Sequence, residues 1–232
     1  LSKKNNCIPN IVYVSAKNIK RKRGVKIPKK KWLNNYLEAT KKENIDLVVE
    51  LIGGSEGPAK KLVFNALSNG KHVVTANKAL IARYGDQLSK IAEKNKVNLE
   101  FEASVCGGVP IIRSLKEGLI ANKIFKIYGI FNGTSNFILT SMDKENKNFN
   151  EVLKDAKNLG YAESNPVSDL NGDDVSAKVK ILSSLCFNSF LNNNIHVEGI
   201  SNIDKEDINN ANKLGYKIKL LGFAELINDK IY

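Results

Sequence analysis

The chain has 232 residues, of which 42% are hydrophobic and 26% are charged, and its formal net charge is +12 at pH 7. This length accommodates one large domain or two modest ones, and the composition is ordinary for a soluble globular protein. No apolar run approaches about 18 residues and none follows the basic N-terminus, which argues against a transmembrane helix and a secretory signal.

Strand-like and helix-like patterns alternate in the first part of the chain. The patterns predict strands at residues 8–15, 46–52, 72–75 and 97–102, and helices at residues 30–43, 58–69, 78–83 and 87–94. The run at 46–52 is continuously apolar, as expected for a parallel strand buried on both faces. Such alternation is typical of parallel sheets with right-handed connections, so we predict an α/β nucleotide-binding domain over residues 1–104.

The pattern changes after residue 104. A glycine-rich hinge, VCGGVP, leads into predicted helices at 111–119, 134–142, 150–159, 173–187 and 205–213, and into predicted strands at 123–131, 197–200 and 216–224. This order predicts a second domain over residues 105–232, of α+β type with a mixed sheet. The strand at 123–131 has one apolar face that needs cover, which favours a dimer.

Both ends of this organisation look incomplete. The chain opens on what would be the second strand of a nucleotide-binding sheet, contains no GxGxxG sequence, and closes on an apolar segment that begins a strand. The first strand, glycine loop and helix of such a domain normally bind a pyrophosphate. We therefore expect an internal part of a longer polypeptide, truncated at both ends.

Basic residues concentrate at positions 17–31, KNIKRKRGVKIPKKK, and are otherwise spread along the chain. A basic nucleic-acid-binding module is one interpretation, and a steep salt dependence of binding would favour it. The segment has no aromatic residue before Trp32 and no RNA-binding signature, so we expect neither nucleic acid nor a membrane as partner. Three separated cysteines, Cys7, Cys106 and Cys186, lack CxxC spacing, which predicts a reducing, cytoplasmic setting and no structural metal.

The stretch GYAESNPVSDLNGDDVSAK, residues 160–178, combines four acids with a tyrosine and a lysine. Asp174 and Lys178 are four residues apart at the start of a predicted helix, which places both side chains on one face. Such a pair can bind an amino-alcohol and move a proton. The alternative is an acidic surface loop followed by an ordinary ion pair.

Four blocks precede that stretch in a fixed order: VVELIGG, GKHVVTANKALIA, FEASVCGGVPII and GIFNGTSNFIL. Together they resemble homoserine dehydrogenase over nearly the whole chain, from about residue 8. The resemblance implies an oxidoreductase with a truncated Rossmann-type domain. It would interconvert L-homoserine and L-aspartate 4-semialdehyde with a nicotinamide nucleotide, in threonine and methionine biosynthesis, as a homodimer. An inactive or interaction-only part of that enzyme is the alternative, and we expect residues 1–232 alone to have little activity.

The resemblance also implies roles for single residues. Lys178 matches the catalytic lysine. Lys78 matches a second lysine of the catalytic site, which would hold the substrate or the nicotinamide end and could share in proton transfer. Substrate-binding positions are Glu163, which would bind the amino group, Asp174, Asp169, Thr134 and Tyr161. A substrate ammonium explains why carboxylates gather at this site without a metal.

The remaining implied positions concern the cofactor and a cation. Gly53 and Gly54 would pass close to the cofactor. Arg21 and Arg23 follow the strand that reads the adenosine ribose, and no acid precedes Glu38, which favours NADP over NAD. A monovalent cation such as sodium would bind the Glu102 side chain and the carbonyls of Val105, Gly107 and Val109, in a loop that also reads as a hinge. Cys106 would be filler there rather than a nucleophile.

Overall fold

The computed structural model describes residues 9–188 and 195–232 of the chain. It divides into two compact units, Leu1–Phe101 and Glu102–Tyr232. Among the described residues, no helix is both long and apolar enough to cross a membrane.

The first unit is built on a parallel three-stranded sheet in the order β1-β2-β3. Its strands are β1 (Leu47–Glu50), β2 (His72–Thr75) and β3 (Leu99–Glu100), and its helices are α1 (Pro58–Ser68) and α2 (Lys78–Lys94). The predicted α/β class is therefore confirmed. The carboxyl ends of the strands lie along one edge of this sheet, where open α/β sheets bind ligands.

Local sequence explains where the two helices of this unit begin. Pro58 occupies the first turn of α1, where its missing N–H costs no hydrogen bond. The side chain of Asn77 caps α2 by accepting the N–H of Leu80 at 3.1 Å. Buried residues at helical spacing then hold α1 in place: Ala59, Leu62, Val63, Ala66 and Leu67.

Several predicted elements of this unit are shorter than expected or have a different form. Within predicted strand 8–15, the described residues make only an isolated bridge from Val14 to Trp32. The predicted helix 30–43 consists of two short 3-10 segments, Lys29–Lys31 and Tyr36–Lys41, because Asn35 interrupts it and caps the second. The two predicted helices at 78–94 form one helix, since Gly85 is buried within α2 rather than at a break.

Strand β1 also departs from its prediction. It ends at Glu50, because the Glu50 carboxylate accepts the N–H groups of Ile52 and Gly53 and turns the chain. Its residues alternate between exposed and buried, so Leu47 and Val49 face solvent while Val48 and Glu50 are buried. The expectation of burial on both faces was therefore wrong for this structure.

The second unit contains an antiparallel sheet in the order β4-β5-β6. Its strands are β4 (Lys126–Gly129), β5 (Gly222–Ile227) and β6 (Lys230–Ile231). Its helices are α3 (Ile111–Arg113), which continues as a π-turn at Ser114–Gly118, α4 (Gly133–Glu145), α5 (Phe149–Asn158), α6 (Val167–Leu170), α7 (Asp173–Phe187) and α8 (Lys205–Lys213). Among the described residues the sheet is antiparallel, where the sequence predicted a mixed sheet.

Two predicted strands of this unit are not formed as expected. Residues 197–200 are irregular, and the strand predicted at 216–224 begins only at Gly222. Gly199 explains the first case, because a Cβ there would lie 2.4 Å from the carbonyl oxygen of Leu170. That segment therefore packs closely against the backbone at the end of α6, and Ile200 donates its N–H to the same carbonyl at 2.7 Å.

Helix α7 covers one face of the antiparallel sheet. Val175 and Val179 on α7 pack with Ala224 on β5, and Ile127 and Phe131 border this cluster. The close approach is possible because Gly129 and Gly222 pair across the two strands. A Cβ on Gly222 would lie 2.4 Å from the Phe131 ring and 2.6 Å from Val179.

Gly222→Ala is therefore expected to destabilise the protein by about 1–3 kcal/mol, because overpacking forces neighbouring side chains from their preferred positions. Urea or thermal unfolding measures the change. Gly118→Ala is the matched control, since a Cβ there meets no atom within 4 Å. Equal stability of the two variants would contradict the packing described for α7.

Candidate active site

The ion pair predicted from spacing lies on the first turns of α7. Lys178 Nζ donates to Asp174 Oδ2 at 2.7 Å and to the carbonyl oxygen of Phe131 at 2.6 Å. The side chains of Lys178 and Asp174 are only 15% and 6% exposed. The pair has the predicted i,i+4 spacing but is mostly buried, unlike an ordinary surface ion pair. The amine is held between a carboxylate and a carbonyl at the end of β4.

A buried asparagine joins this pair to a second acid. Asn132 lies just before α4, and its Nδ2 donates to Asp169 Oδ1 at 2.7 Å and to Asp174 Oδ2 at 2.9 Å. Asp169 lies on α6. Three helices thus contribute to one polar cluster, which consists of Asn132, Asp169, Asp174 and Lys178 and is called the acid–lysine cluster below.

The other predicted substrate residues lie in the same unit. Thr134 Oγ1 donates to the carbonyl of Tyr161 at 2.7 Å, so this hydroxyl holds the segment that leads into the acidic stretch. The Tyr161 ring stacks on Phe137 with 4.3 Å between centroids. Glu163 is exposed to solvent. A ligand ammonium can therefore reach the Glu163 carboxylate without displacing a buried group.

The loop from Glu102 to Val109 contains the predicted cation ligands. Both carboxylate oxygens of Glu102 accept N–H groups, from Ile112 at 3.0 Å and from Arg113 at 2.8 Å, so this side chain caps the start of α3. Val105 is buried, while Gly107 and Val109 are exposed. In the described ranges, no group of three or more His, Cys, Asp or Glu side chains is arranged to hold a metal ion.

Cys106 lies in this loop with a positive φ of 48°. Burial raises the pKa of its thiol, while the charges of Lys178 and Asp174 act on it in opposite directions. A thiol with a raised pKa is a poor nucleophile at neutral pH, which agrees with a filling role. Cys186 is half-buried, and burial raises its pKa to about 11. Cys7 lies outside the described residues.

At the sheet edge of the first unit, a second polar network surrounds a buried carboxylate. Glu50 is 0% exposed. Its Oε1 accepts the N–H groups of Ile52 at 2.5 Å and Gly53 at 3.0 Å, and its Oε2 accepts the Thr75 hydroxyl at 2.5 Å. The network therefore fixes the turn that follows β1 against the end of β2.

Asn77 extends this network to the start of α2. Its N–H donates to Thr75 Oγ1 at 3.0 Å, and its side-chain Nδ2 donates to the carbonyl of Gly54 at 2.8 Å. Gly53 and Gly54 have φ angles of 84° and 78°, which favour glycine. Lys78 is the first residue of α2, so the network also fixes its backbone.

The two predicted ribose-reading arginines have different environments. The Arg23 guanidinium donates to the carbonyls of Asn18 at 2.5 Å, Ile19 at 3.1 Å and Arg21 at 2.8 Å. It also lies over the Trp32 ring, 5.2 Å from the centroid. Arg23 therefore stabilises the basic loop, residues 17–31, through hydrogen bonds to backbone carbonyls of the same loop. Arg21 is exposed on that loop.

Two protein-family models match the chain. The model described as homoserine dehydrogenase matches residues 110–231, and the model described as homoserine dehydrogenase, NAD binding domain, matches residues 2–102. The chain belongs to the homoserine dehydrogenase family. The resemblance that the sequence blocks predicted is thus confirmed, and nothing in these matches favours the nucleic-acid or interaction-only interpretation.

Relatives and solved structures agree with the family models. The homoserine dehydrogenase of Neisseria gonorrhoeae is 48% identical over 196 residues, which are 84% of this chain and 45% of that protein. The Bacillus subtilis protein is 44% identical over 226 residues, 97% of this chain and 52% of its own length. A crystal structure of a homoserine dehydrogenase from Thiobacillus denitrificans gives a TM-score of 0.82 at 47% identity, covering 86% of this chain and 46% of that one. The chain spans about half the length of these relatives.

In the second unit of this homoserine dehydrogenase family member, the structure brings together three predicted site residues, Asp169, Asp174 and Lys178. The residue that joins them, Asn132, was missed from the sequence. An asparagine between a strand and a helix is a common helix cap, and that signal could have drawn attention to it. Glu50 was also missed, although a lone acid in an apolar strand calls for buried hydrogen-bond donors.

Proposed function

We propose that the complete polypeptide carrying this chain interconverts L-homoserine and L-aspartate 4-semialdehyde with a nicotinamide nucleotide. The observation that carries the proposal is the acid–lysine cluster, in which a nearly buried amine bonds the Asp174 carboxylate and Asn132 links that carboxylate to Asp169. Such a cluster can bind a substrate ammonium and can transfer a proton at a carbonyl or hydroxyl oxygen. The family membership supports the same reaction.

Recognition of the substrate rests on the carboxylates. Homoserine and aspartate semialdehyde both carry an ammonium group, and Glu163 and Asp169 offer charge of the opposite sign. We assign the amino group to Glu163, because this side chain is exposed on the segment held by Thr134. Tyr161, two residues before Glu163 in the chain, would line the same side of the substrate.

Lys178 supplies the proton in the reduction direction. An ammonium has three N–H donors. Within the described part of the chain, Asp174 and Phe131 accept two of them. The third would donate to the carbonyl oxygen of the semialdehyde, and in the reverse direction the amine would accept the proton of the homoserine hydroxyl. Asp174 holds and orients the amine between turnovers.

A nicotinamide nucleotide, when bound at the first unit, would supply the hydride in reduction and accept it in oxidation. The sheet edge of the first unit fits such a group, since a Cβ at Gly53 or Gly54 would meet no atom within 4 Å and the backbone is open to a flat ligand. We assign the cofactor to Gly53, Gly54 and Lys78. A solved structure of a hyperthermophilic archaeal homoserine dehydrogenase is in complex with NADPH, and it is 30% identical with a TM-score of 0.71.

Our assignment of NADP over NAD rests on the basic loop. Arg21 is exposed there and available to a 2′-phosphate, while Arg23 shapes the loop through three carbonyls. The 2′-hydroxyl of NAD is normally read by an acid, and the segment from Val14 to Leu37 contains none.

Two further proposals concern the second unit. We assign a monovalent cation to Glu102 and to the carbonyls of Val105, Gly107 and Val109, because these residues lie within one short glycine-containing loop.

We also propose a homodimer through the sheet face opposite α7, where Tyr128 and Phe223 are paired and are 70% and 44% exposed. Sedimentation of the complete polypeptide as a monomer would contradict this homodimer.

The test of the function is a spectrophotometric assay of the complete polypeptide with homoserine and either NADP or NAD. We expect reversible reduction of the nucleotide, with kcat/KM larger for NADP. Absence of turnover with both cofactors, in a folded preparation, contradicts the proposed reaction. Clear preference for NAD would overturn only the assignment of the basic loop.

A further inference from the structure

Asn132 is the most constrained side chain of the acid–lysine cluster. It is 5% exposed and lies between β4 and α4. Its Oδ1 accepts the N–H of Ser135 at 2.8 Å, and the Ser135 hydroxyl lies between that Oδ1, at 2.8 Å, and the carbonyl oxygen of Asp169, at 2.7 Å. A backbone N–H can only donate, so the orientation of the amide is fixed with Nδ2 directed away from Ser135.

Both N–H bonds of that amide are directed at carboxylates. One reaches Asp169 Oδ1 at 2.7 Å and the other reaches Asp174 Oδ2 at 2.9 Å. The oxygen Asp174 Oδ2 also accepts Lys178 Nζ at 2.7 Å. The neutral Asn132 amide therefore lies between the two acids and donates a hydrogen bond to each. It also bonds Asp174 Oδ2, the oxygen that orients the Lys178 amine.

We propose that Asn132 is a positioning residue of the active site, which holds the Asp169 and Asp174 side chains together through its two N–H donors and thereby fixes Lys178 for proton transfer. This inference rests on the proposed function. Two nearby carboxylates repel each other, and without a donor between them one tends to take up a proton. A protonated acid would attract a substrate ammonium less and would no longer hold Lys178.

An amide suits this position better than the other polar side chains. The two N–H donors of an amide point in different directions from one nitrogen and carry no net charge. Asp169 and Asp174 are therefore both hydrogen-bonded, and their negative charge still attracts the substrate ammonium. A lysine or arginine would neutralise the acids and compete with Lys178 for Asp174. A serine could bond only one acid at a time.

The test is Asn132→Asp in the complete polypeptide. Aspartate has the same shape and still caps α4 through Ser135, but it replaces both donors with a third carboxylate. We expect kcat to fall by about 100-fold at pH 8, the effect of misplacing a catalytic group. The loss should shrink as the pH is lowered, because a proton shared among the three acids restores one hydrogen bond. The charged and titratable groups that face the site are Asp169, Asp174, Lys178 and Cys106.

Asn136→Asp is the matched control. It makes the same chemical change one turn further along α4, where Asn136 Oδ1 accepts Lys219 Nζ at 3.0 Å. We expect kcat and its pH profile to stay at wild-type values. Asn132→Ser keeps a helix cap and removes the bridging amide, so it should lower kcat without adding charge.

A second measurement does not depend on activity. The melting temperature of Asn132→Asp should lie below that of wild type, and this difference should grow as the pH rises from 5 to 8, because repulsion among three carboxylates grows as they ionise. The corresponding difference for Asn136→Asp should stay small at both pH values. An unchanged pH profile of kcat in Asn132→Asp, or a melting deficit that is the same at both pH values, overturns the inference. Wild-type protein without turnover would refute the proposed reaction, while the melting series would still decide the role of Asn132.

Discussion

Lys178→Met in the complete polypeptide is expected to lower kcat by about 100- to 10,000-fold, the range over which a positioned general acid contributes. Methionine keeps the length of the side chain and removes the donor to the substrate oxygen. Homoserine binding should be largely kept, because the carboxylates that we assign to the ammonium group remain. Steady-state kinetics together with calorimetric titration separate the two effects.

Lys180→Met is the control for that substitution, since it removes the same charge from the same helix two residues away. We expect turnover within a few-fold of wild type. Wild-type turnover in Lys178→Met would remove this lysine from the mechanism. A loss of homoserine binding equal to the loss of kcat would instead assign it to substrate binding.

Glu50→Ala should cost about 3 kcal/mol or more of unfolding free energy, the largest stability effect that we expect for a single side chain. It leaves three donors without their acceptor, namely the hydroxyl of the buried Thr75 and the N–H groups of the exposed residues Ile52 and Gly53. An unsatisfied buried hydroxyl costs about 1–3 kcal/mol, and the space left by the side chain adds to the loss. Urea unfolding of the protein measures it.

Two further variants show which interactions cause that loss of unfolding free energy. Glu50→Gln keeps an oxygen for the two backbone N–H groups and should recover part of the stability. Glu93→Ala removes an exposed acid from α2 and should change it by less than about 0.5 kcal/mol. If Glu50→Ala were as stable as Glu93→Ala, the buried network would not hold the turn at Gly53.

The local sequence was sufficient to predict the bounds of some helices and strands but not of others. Helices α7 and α8 and strand β2 have the predicted bounds, because glycine turns, caps and β-branched runs mark their ends within the segment itself. The strand predicted at 8–15 needed partners that lie elsewhere in the chain, and only Val14 forms a bridge. Residues 197–200 have a strand-like composition, but Gly199 packs against the backbone at Leu170 instead.

The candidate site shows the same division. The spacing of Asp174 and Lys178 predicted their pairing, since four residues on a helix determine which side chains meet. The bond from Asn132 to Asp169 joins residues 37 positions apart, and no local pattern contains it. Glu50 and Thr75, 25 positions apart, are likewise brought together only by the pairing of β1 with β2.

The ring of Phe131 lies over the glycine pair Gly129 and Gly222, while the carbonyl of the same residue holds the amine of Lys178. The packing of the Phe131 ring against the sheet and the orientation of the proposed catalytic amine thus depend on one residue. We therefore expect sequence drift at position 222 to be coupled to position 131. A larger residue at 222 would first need smaller side chains at 131 and 179, so the order of these changes would be constrained.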